Sequence, residues 1–155
     1  ALAELTGREE VLDAYCGVGT IGILAAKHAA HVTGVEFNAD AVKNAAVNAR
    51  LNGLENIDFL RGDAGRVLAE KQLSADTVFV DPPRSGCERP FLEALCAAMP
   101  QKIVYISCCP ETQARDIKLL SSRGYRLESV QPVDMFPWTP HVETVGMLSL
   151  TKRQT

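Results

Sequence analysis

Short apolar runs alternate along this chain with stretches of helical period. Glu9 to Cys16 predicts a first strand centred on Val11 to Tyr15, and an apolar helix then runs to about Ala29. His31 to Glu36 predicts a second strand. Ala39 to Leu51 predicts a helix, with Asn38 as its N-cap and Asn52-Gly53 as its stop. Ile57 to Leu60 is a third predicted strand, and Gly65 to Gln72 a short helix. Thr77 to Val80 predicts a fourth strand, and Arg89 to Ala98 a helix that Pro100 closes. Ile103 to Ile106 has the β-branching of a buried central strand. A helix from Glu111 to about Arg123 follows and stops at Gly124. Tyr125 to Val133 and Glu143 to Leu150 are the last predicted strands, joined by a loop from Asp134 to His141 rich in Pro and aromatics.

Strands that alternate with helices predict βαβ units and a doubly wound, Rossmann-like α/β sheet. No helix separates the last two strands, so they are expected to pair antiparallel at one edge. The expected sheet has seven strands, six of them parallel, with Glu143 to Leu150 inserted antiparallel. No repeat and no linker interrupts the pattern, so residues 1–155 read as one domain.

Composition changes this picture little. A chain of 155 residues, 46% hydrophobic and 23% charged, suits one globular core. The net charge of -3 announces no strong basic field for nucleic acid. No apolar run spans a bilayer, and no signal peptide is visible. The five cysteines form no CxxC pair and no metal-ligand spacing, so no metal is expected. Their scatter suits a reducing cytoplasm. The chain opens on Ala1 and reaches a strand by Val11, which suggests the C-terminal part of a longer protein.

The candidate chemistry sits at the predicted strand ends, where open α/β sheets bind ligands. Gly17-Val18-Gly19 follows the first strand and opens a helix, so bare backbone N–H groups can approach a ligand there. Nicotinamide and flavin enzymes use such loops too. Glu36 ends the second strand where ribose hydroxyls are held, although a solvated strand end is the plain alternative. Asp63 ends the third strand, as a partner for an adenine amino group or as a turn-forming Asp. Cys108 ends the fifth strand just before a helix opened by Pro110. A helix N-terminus favours the thiolate, which is the nucleophile. A Cys ending an apolar strand is otherwise a small buried hydrophobe.

In order along the chain come Asp13-Ala-Tyr-Cys-Gly-Val-Gly-Thr-Ile-Gly22, Val35-Glu36, Gly62-Asp63, Asp81-Pro-Pro-Arg84, Ile106-Ser-Cys108, Asp134-Met-Phe-Pro137 and His141-Val-Glu143. Together they resemble the S-adenosylmethionine domain of the RNA (uracil-5-)methyltransferase family, which modifies transfer RNA and the large (23S) ribosomal RNA. The resemblance runs from about Val11 to Leu150. It implies that Asp13, Tyr15, Gly17 and Gly19 form the methionine end of the S-adenosylmethionine site. It also implies that Glu36 binds the ribose, Asp63 the adenine, and that Asp81 lies by the methyl group and target base. Cys108 would be the nucleophile and Glu143 the base. The implied partner is RNA, bound weakly by this chain alone and without a membrane. Two departures stand out. Cys109 occupies the place where the family usually has Asn, and the family's N-terminal RNA-binding part and the linking segment that adds to its cofactor site are expected outside these residues.

Three other readings remain open. An RNA cytosine-5 methyltransferase carries a second Cys where Arg84 stands, with Cys87 nearby. An amino-group methyltransferase could use Asp81-Pro82-Pro83 but would leave Cys108 and Glu143 unused. A cofactor-binding module would lack catalysis without further parts. Phe136 and Trp138 are either loop packing or platforms beside a flipped base.

Overall fold

The computed structural model describes residues 2, 5–71 and 73–151. The expected helix end at Gln72 lies outside the described residues. In chain order the elements are β1 (Glu10–Ala14), α1 (Thr20–Ala26), β2 (His31–Glu36), α2 (Ala39–Leu51), β3 (Ile57–Arg61), α3 (Ala64–Glu70), β4 (Thr77–Val80), α4 (Arg89–Ala98), β5 (Lys102–Ser107), α5 (Pro110–Ser122), β6 (Tyr125–Val133) and β7 (Glu143–Leu150).

The sheet order is β3-β2-β1-β4-β5-β7-β6. The pairs from β3 to β5 are parallel. Strand β7 lies antiparallel to β5 on one side and β6 on the other, as the missing helix predicts. β6 is the outer edge, and it is exposed from Arg126 onward.

The central strands are buried on both faces, as parallel strands covered by helices must be. Alternation splits the core in two. Leu12, Val80, Ile103 and Tyr105 pack under α3, α4 and α5. Val11, Phe79, Val104 and, less buried, Ile106 pack under α1 and α2. The β2 position between Thr33 and Val35 must be small. A Cβ at Gly34 would stand 2.5 Å from the Phe59 ring and 3.0 Å from the Cys16 Sγ.

Three of the boundaries that differ from the sequence expectation have a visible cause. β1 ends at Ala14, because Tyr15 turns into the left-handed region at φ 62°. α1 ends at Ala26 rather than about Ala29, because the Ala30 amide leaves the helix to bond the Glu9 carbonyl. α5 begins at Pro110, whose missing N–H costs nothing in the first turn. The Asn38 cap is as expected: its side chain accepts from the Asp40 and Ala41 amides.

Candidate active site

The glycine loop rests on a buried acid. Asp13 is fully buried, and its Oδ2 accepts from the Gly22 amide at 2.7 Å, which holds the first turn of α1. Its Oδ1 has no hydrogen-bond partner. Burial pushes the Asp13 carboxyl up to about 7; the Gly22 bond works against this and the nearby Asp81 charge adds to it. Asp13 therefore supports the loop from below. Above it, Gly17 and Gly19 take φ of 55° and 87°, which glycine adopts freely. A Cβ at Gly17 would meet nothing within 4 Å, so this backbone faces open space. Tyr15 turns its ring edge-on against Phe91, with centroids 5.2 Å apart.

Glu36, at the end of β2, is half-buried. Its Oε2 accepts from the Gly17 amide at 3.1 Å and its Oε1 from the Asn38 amide at 2.7 Å. The carboxylate is thereby oriented at the rim of the glycine loop. Asp63 caps α3, with Oδ1 accepting from the Arg66 amide at 2.9 Å. It also lines a hollow of about 550 Å³ with Phe37, Glu88 and Pro90. A smaller hollow of about 110 Å³ shares Asp63, Glu88 and Pro90 and adds Tyr15 and Pro83. Phe37 is 75% exposed, an apolar ring beside Glu36 that the sequence reading passed over. Its signal was a large aromatic placed directly after the acid at a strand end. A larger hollow, about 690 Å³, lies at the opposite end of the sheet among Met99, Gly124 and Leu150, away from all the strand-end acids.

The second half of the site forms where β4, β5 and β7 meet. Ser107 of β5 pairs with Thr144 of β7. Cys108 follows Ser107 directly and Glu143 precedes Thr144, so both lie at this end of the β5–β7 pair. Within β7, alternation puts Glu143 on the face of Val145, the α1 side. The same alternation puts Asp13 on that face, one step beyond Leu12 on the other, and Asp81 follows the end of β4 at Val80. Asp81 keeps an open side to solvent, yet its carboxyl is pushed up, first by desolvation on its protein side and then by the Glu143 charge. Asp13, Asp81 and Glu143 thus form a file of interacting acids along the strand ends.

Cys108 and Cys109 part company here. Cys109 Sγ lies 3.3 Å from the Glu111 Oε2 at the start of α5. Across the site, Arg84 Nη2 lies 2.8 Å from His141 Nδ1, joining the turn after β4 to the loop before β7. That pairing was missed because neither residue has a local partner in sequence. Among the described residues no group of three His, Cys, Asp or Glu could hold a metal ion. No described helix is long and apolar enough to cross a membrane.

An open sheet with this order, a reversed β7 beside β5 and a glycine loop after β1 has the architecture of the class I methyltransferases. The chain matches the methyltransferase domain family over residues 5–127, and it belongs to that family. It is 48% identical over 151 residues to an uncharacterized RNA methyltransferase of Halalkalibacterium halodurans, covering 96% of this chain and 33% of that protein. It is 50% identical over 151 residues to an uncharacterized RNA methyltransferase of Listeria innocua, with the same two coverages, 96% and 33%. The chain thus spans about a third of the length of these relatives. Among solved structures it resembles the Pyrococcus abyssi tRNA (uracil-54, C5)-methyltransferase in complex with S-adenosyl-L-homocysteine. The TM-score is 0.81 at 40% identity, covering 95% of this chain and 36% of that one. NSun6 from Pyrococcus horikoshii, at 16% identity and TM-score 0.81, covers 97% of this chain and 50% of that one, and shares the fold.

Proposed function

We propose that this chain is the S-adenosylmethionine-binding catalytic domain of a longer RNA (uracil-5-)methyltransferase. The observation that supports the reading most is the β5–β7 register: Ser107, next to Cys108, pairs with Thr144, next to Glu143, and the Glu143 charge is felt at Asp81. A thiol, a base and a cofactor loop on one sheet face are what methylation at an unactivated ring carbon needs. The P. abyssi uracil-54 enzyme, at 40% identity, supports the choice of base.

The residues present fit the cofactor. The acids Asp81 and Glu143 at the strand ends suit a ligand that carries an ammonium and a sulfonium rather than an anionic dinucleotide, with Asp13 holding the glycine loop behind them. Glu36 can accept from ribose hydroxyls, and Phe37 and Asp63 offer a ring face and an acceptor to adenine. When bound, S-adenosylmethionine supplies an electrophilic methyl group.

The residues then divide the work. The Cys108 thiolate adds to C6 of the uracil ring, and the ring electrons move to C5 and the 4-carbonyl. C5 takes the methyl group while still holding its proton. Glu143 removes that proton, the C5–C6 double bond returns, and the Cys108 sulfur leaves as thiolate. Asp81, crowded by Glu143, orients the base beside the reacting carbon. Phe136 and Trp138, 51% and 103% exposed, supply stacking surfaces for a flipped nucleotide.

The test is product analysis on the full-length protein with uridine-containing RNA and labelled cofactor. 5-Methyluridine is the expected product, and 5-methylcytidine or an N-methylated base would overturn the reading. Calorimetry on this chain should show S-adenosylhomocysteine binding and no comparable NAD binding.

A further inference from the structure

One buried acid takes no part in the steps above. Asp116, on α5, is 1% exposed. Its Oδ2 accepts from the Tyr105 hydroxyl at 2.7 Å and from the Cys87 amide at 2.8 Å. Its Oδ1 accepts from Arg115, Nε at 2.9 Å and Nη2 at 2.8 Å. The same Arg115 Nη2 lies 3.0 Å from the Ser85 carbonyl and 3.4 Å from that of Cys87. One turn earlier, Thr112 Oγ1 lies 3.1 Å from the Arg84 carbonyl and 3.0 Å from that of Cys109.

A carboxylate taken from water is costly unless donors fill its lone pairs, and an apolar side chain of the same size would usually pack as well. Here four donors converge on it, and one of them is a backbone amide of the loop after β4. The loop is shaped for that approach. Gly86 takes φ 77°, and a Cβ there would stand 2.6 Å from Arg115 Nη2 and 2.7 Å from Asp116 Oδ2.

We infer that Asp116 is a positioning residue that, with Tyr105 and Arg115, clamps residues 84–87 onto α5 and so holds the Asp81 turn against the strand end bearing Cys108. The inference rests on the roles of Asp81 and Cys108 proposed above. Its geometry is direct. Tyr105 stands in β5 just before Cys108, and α5 starts just after it at Pro110. Arg84, whose carbonyl reaches Thr112, also reaches His141 ahead of Glu143. The turn bearing the acid and the strand end bearing the thiol are therefore tied through one buried carboxylate, and Arg84 carries the link on to the strand bearing the base. Displacing a reacting group by about 1 Å costs on the order of a hundredfold in rate.

The experiment compares Asp116→Asn, Arg115→Met, Arg115→Lys and Tyr105→Phe in the full-length protein. It measures kcat, KM for RNA, melting temperature and amide hydrogen exchange. Arg115→Met should lower kcat by about tenfold or more, leave KM near wild type, and raise exchange at residues 85–87 only. Arg115→Lys, which keeps a donor to Asp116, should recover most of the rate. Tyr105→Phe should repeat the loss more weakly, which covers the case in which Asp116→Asn does not fold. Wild-type rates and exchange in Arg115→Met and Tyr105→Phe would overturn the clamp. So would a rate that falls only in step with melting temperature while exchange rises along all of β5 and α5. Production of a base other than 5-methyluridine by the wild type would overturn the proposed function alone, because exchange at 85–87 still reads the clamp.

Discussion

Arg84, in the turn after β4, donates from Nη2 to Nδ1 of His141 at 2.8 Å, just before β7 opens at Glu143. A guanidinium has no acceptor, so Nδ1 must be the bare nitrogen and the ring's proton sits on Nε2. The bond is exposed, but it joins two loops that reach the site from different strands. Replacing Arg84 by Met or His141 by Phe should each lower kcat for methyl transfer. The double variant should be little worse than either, with a coupling of about 1 kcal/mol. A double-mutant cycle on kcat checks this, and fully additive losses would show that the pair acts independently.

The chemical roles separate by trapping. In the full-length protein, Cys108→Ala should abolish both methylation and any covalent RNA adduct. Glu143→Gln should permit addition and methyl transfer yet stall elimination, because an amide cannot take the C5 proton. An RNA complex that survives denaturing electrophoresis should then accumulate. Cys109→Ala should keep turnover, since its thiol faces Glu111. Loss of the adduct in Cys109→Ala but not in Cys108→Ala would reverse the assignment.

Asp13 makes stability depend on pH with a definite sign. Its carboxyl is raised in the folded state from 3.8 to about 7. Between those values the folded chain keeps the proton that the unfolded chain has released. Stability is therefore greatest below the unfolded value, falls as pH rises, and levels off above about 7. The slope cannot exceed about 1.4 kcal/mol per pH unit for one group. Urea unfolding from pH 4 to pH 8 should show this decline, and Asp13→Asn should flatten it. An unchanged slope in that variant would remove Asp13 as its source.

Gly34 offers a packing test away from the chemistry. Its absent side chain lets Phe59 and Cys16 close over β2, and a methyl group there overlaps both. Gly34→Ala should destabilise the fold by about 1–3 kcal/mol. Chemical denaturation measures the loss, and a neutral result would mean that Phe59 swings aside at no cost.

Trp138 tests the stacking surface. It is fully exposed and takes φ 70°, a strained conformation for a bulky residue. Trp138→Ala should weaken RNA binding by the full-length protein by about 1–3 kcal/mol, the usual loss for one stacked base. Cofactor affinity should not change. Binding isotherms at fixed salt check both, and unchanged RNA affinity would return Trp138 to loop packing.

The order of strands and helices was legible in the sequence because each element carries its own period. The second helix, the fourth strand and the last two strands have the bounds their patterns predict. The places of the glycine loop, Glu36 and Asp63 were legible too, because each lies at or just past a strand end on one edge of the sheet. Boundaries failed where a distant partner decided them, as when Glu9 draws Ala30 out of α1. The same physics hid the second half of the site. Asp116 has a polar neighbour at Gln113 on the buried stripe of α5, a mark of buried hydrogen bonding, yet nothing local names Tyr105 and Cys87 as its partners. Local pattern determines which residues lie on which face. The choice of facing residues belongs to strand order and register, which depend on the whole sheet packing at once. Only the antiparallel seat of β7 beside β5 brings the strand end at Glu143 to the strand end before Cys108, within reach of the charge on Asp81.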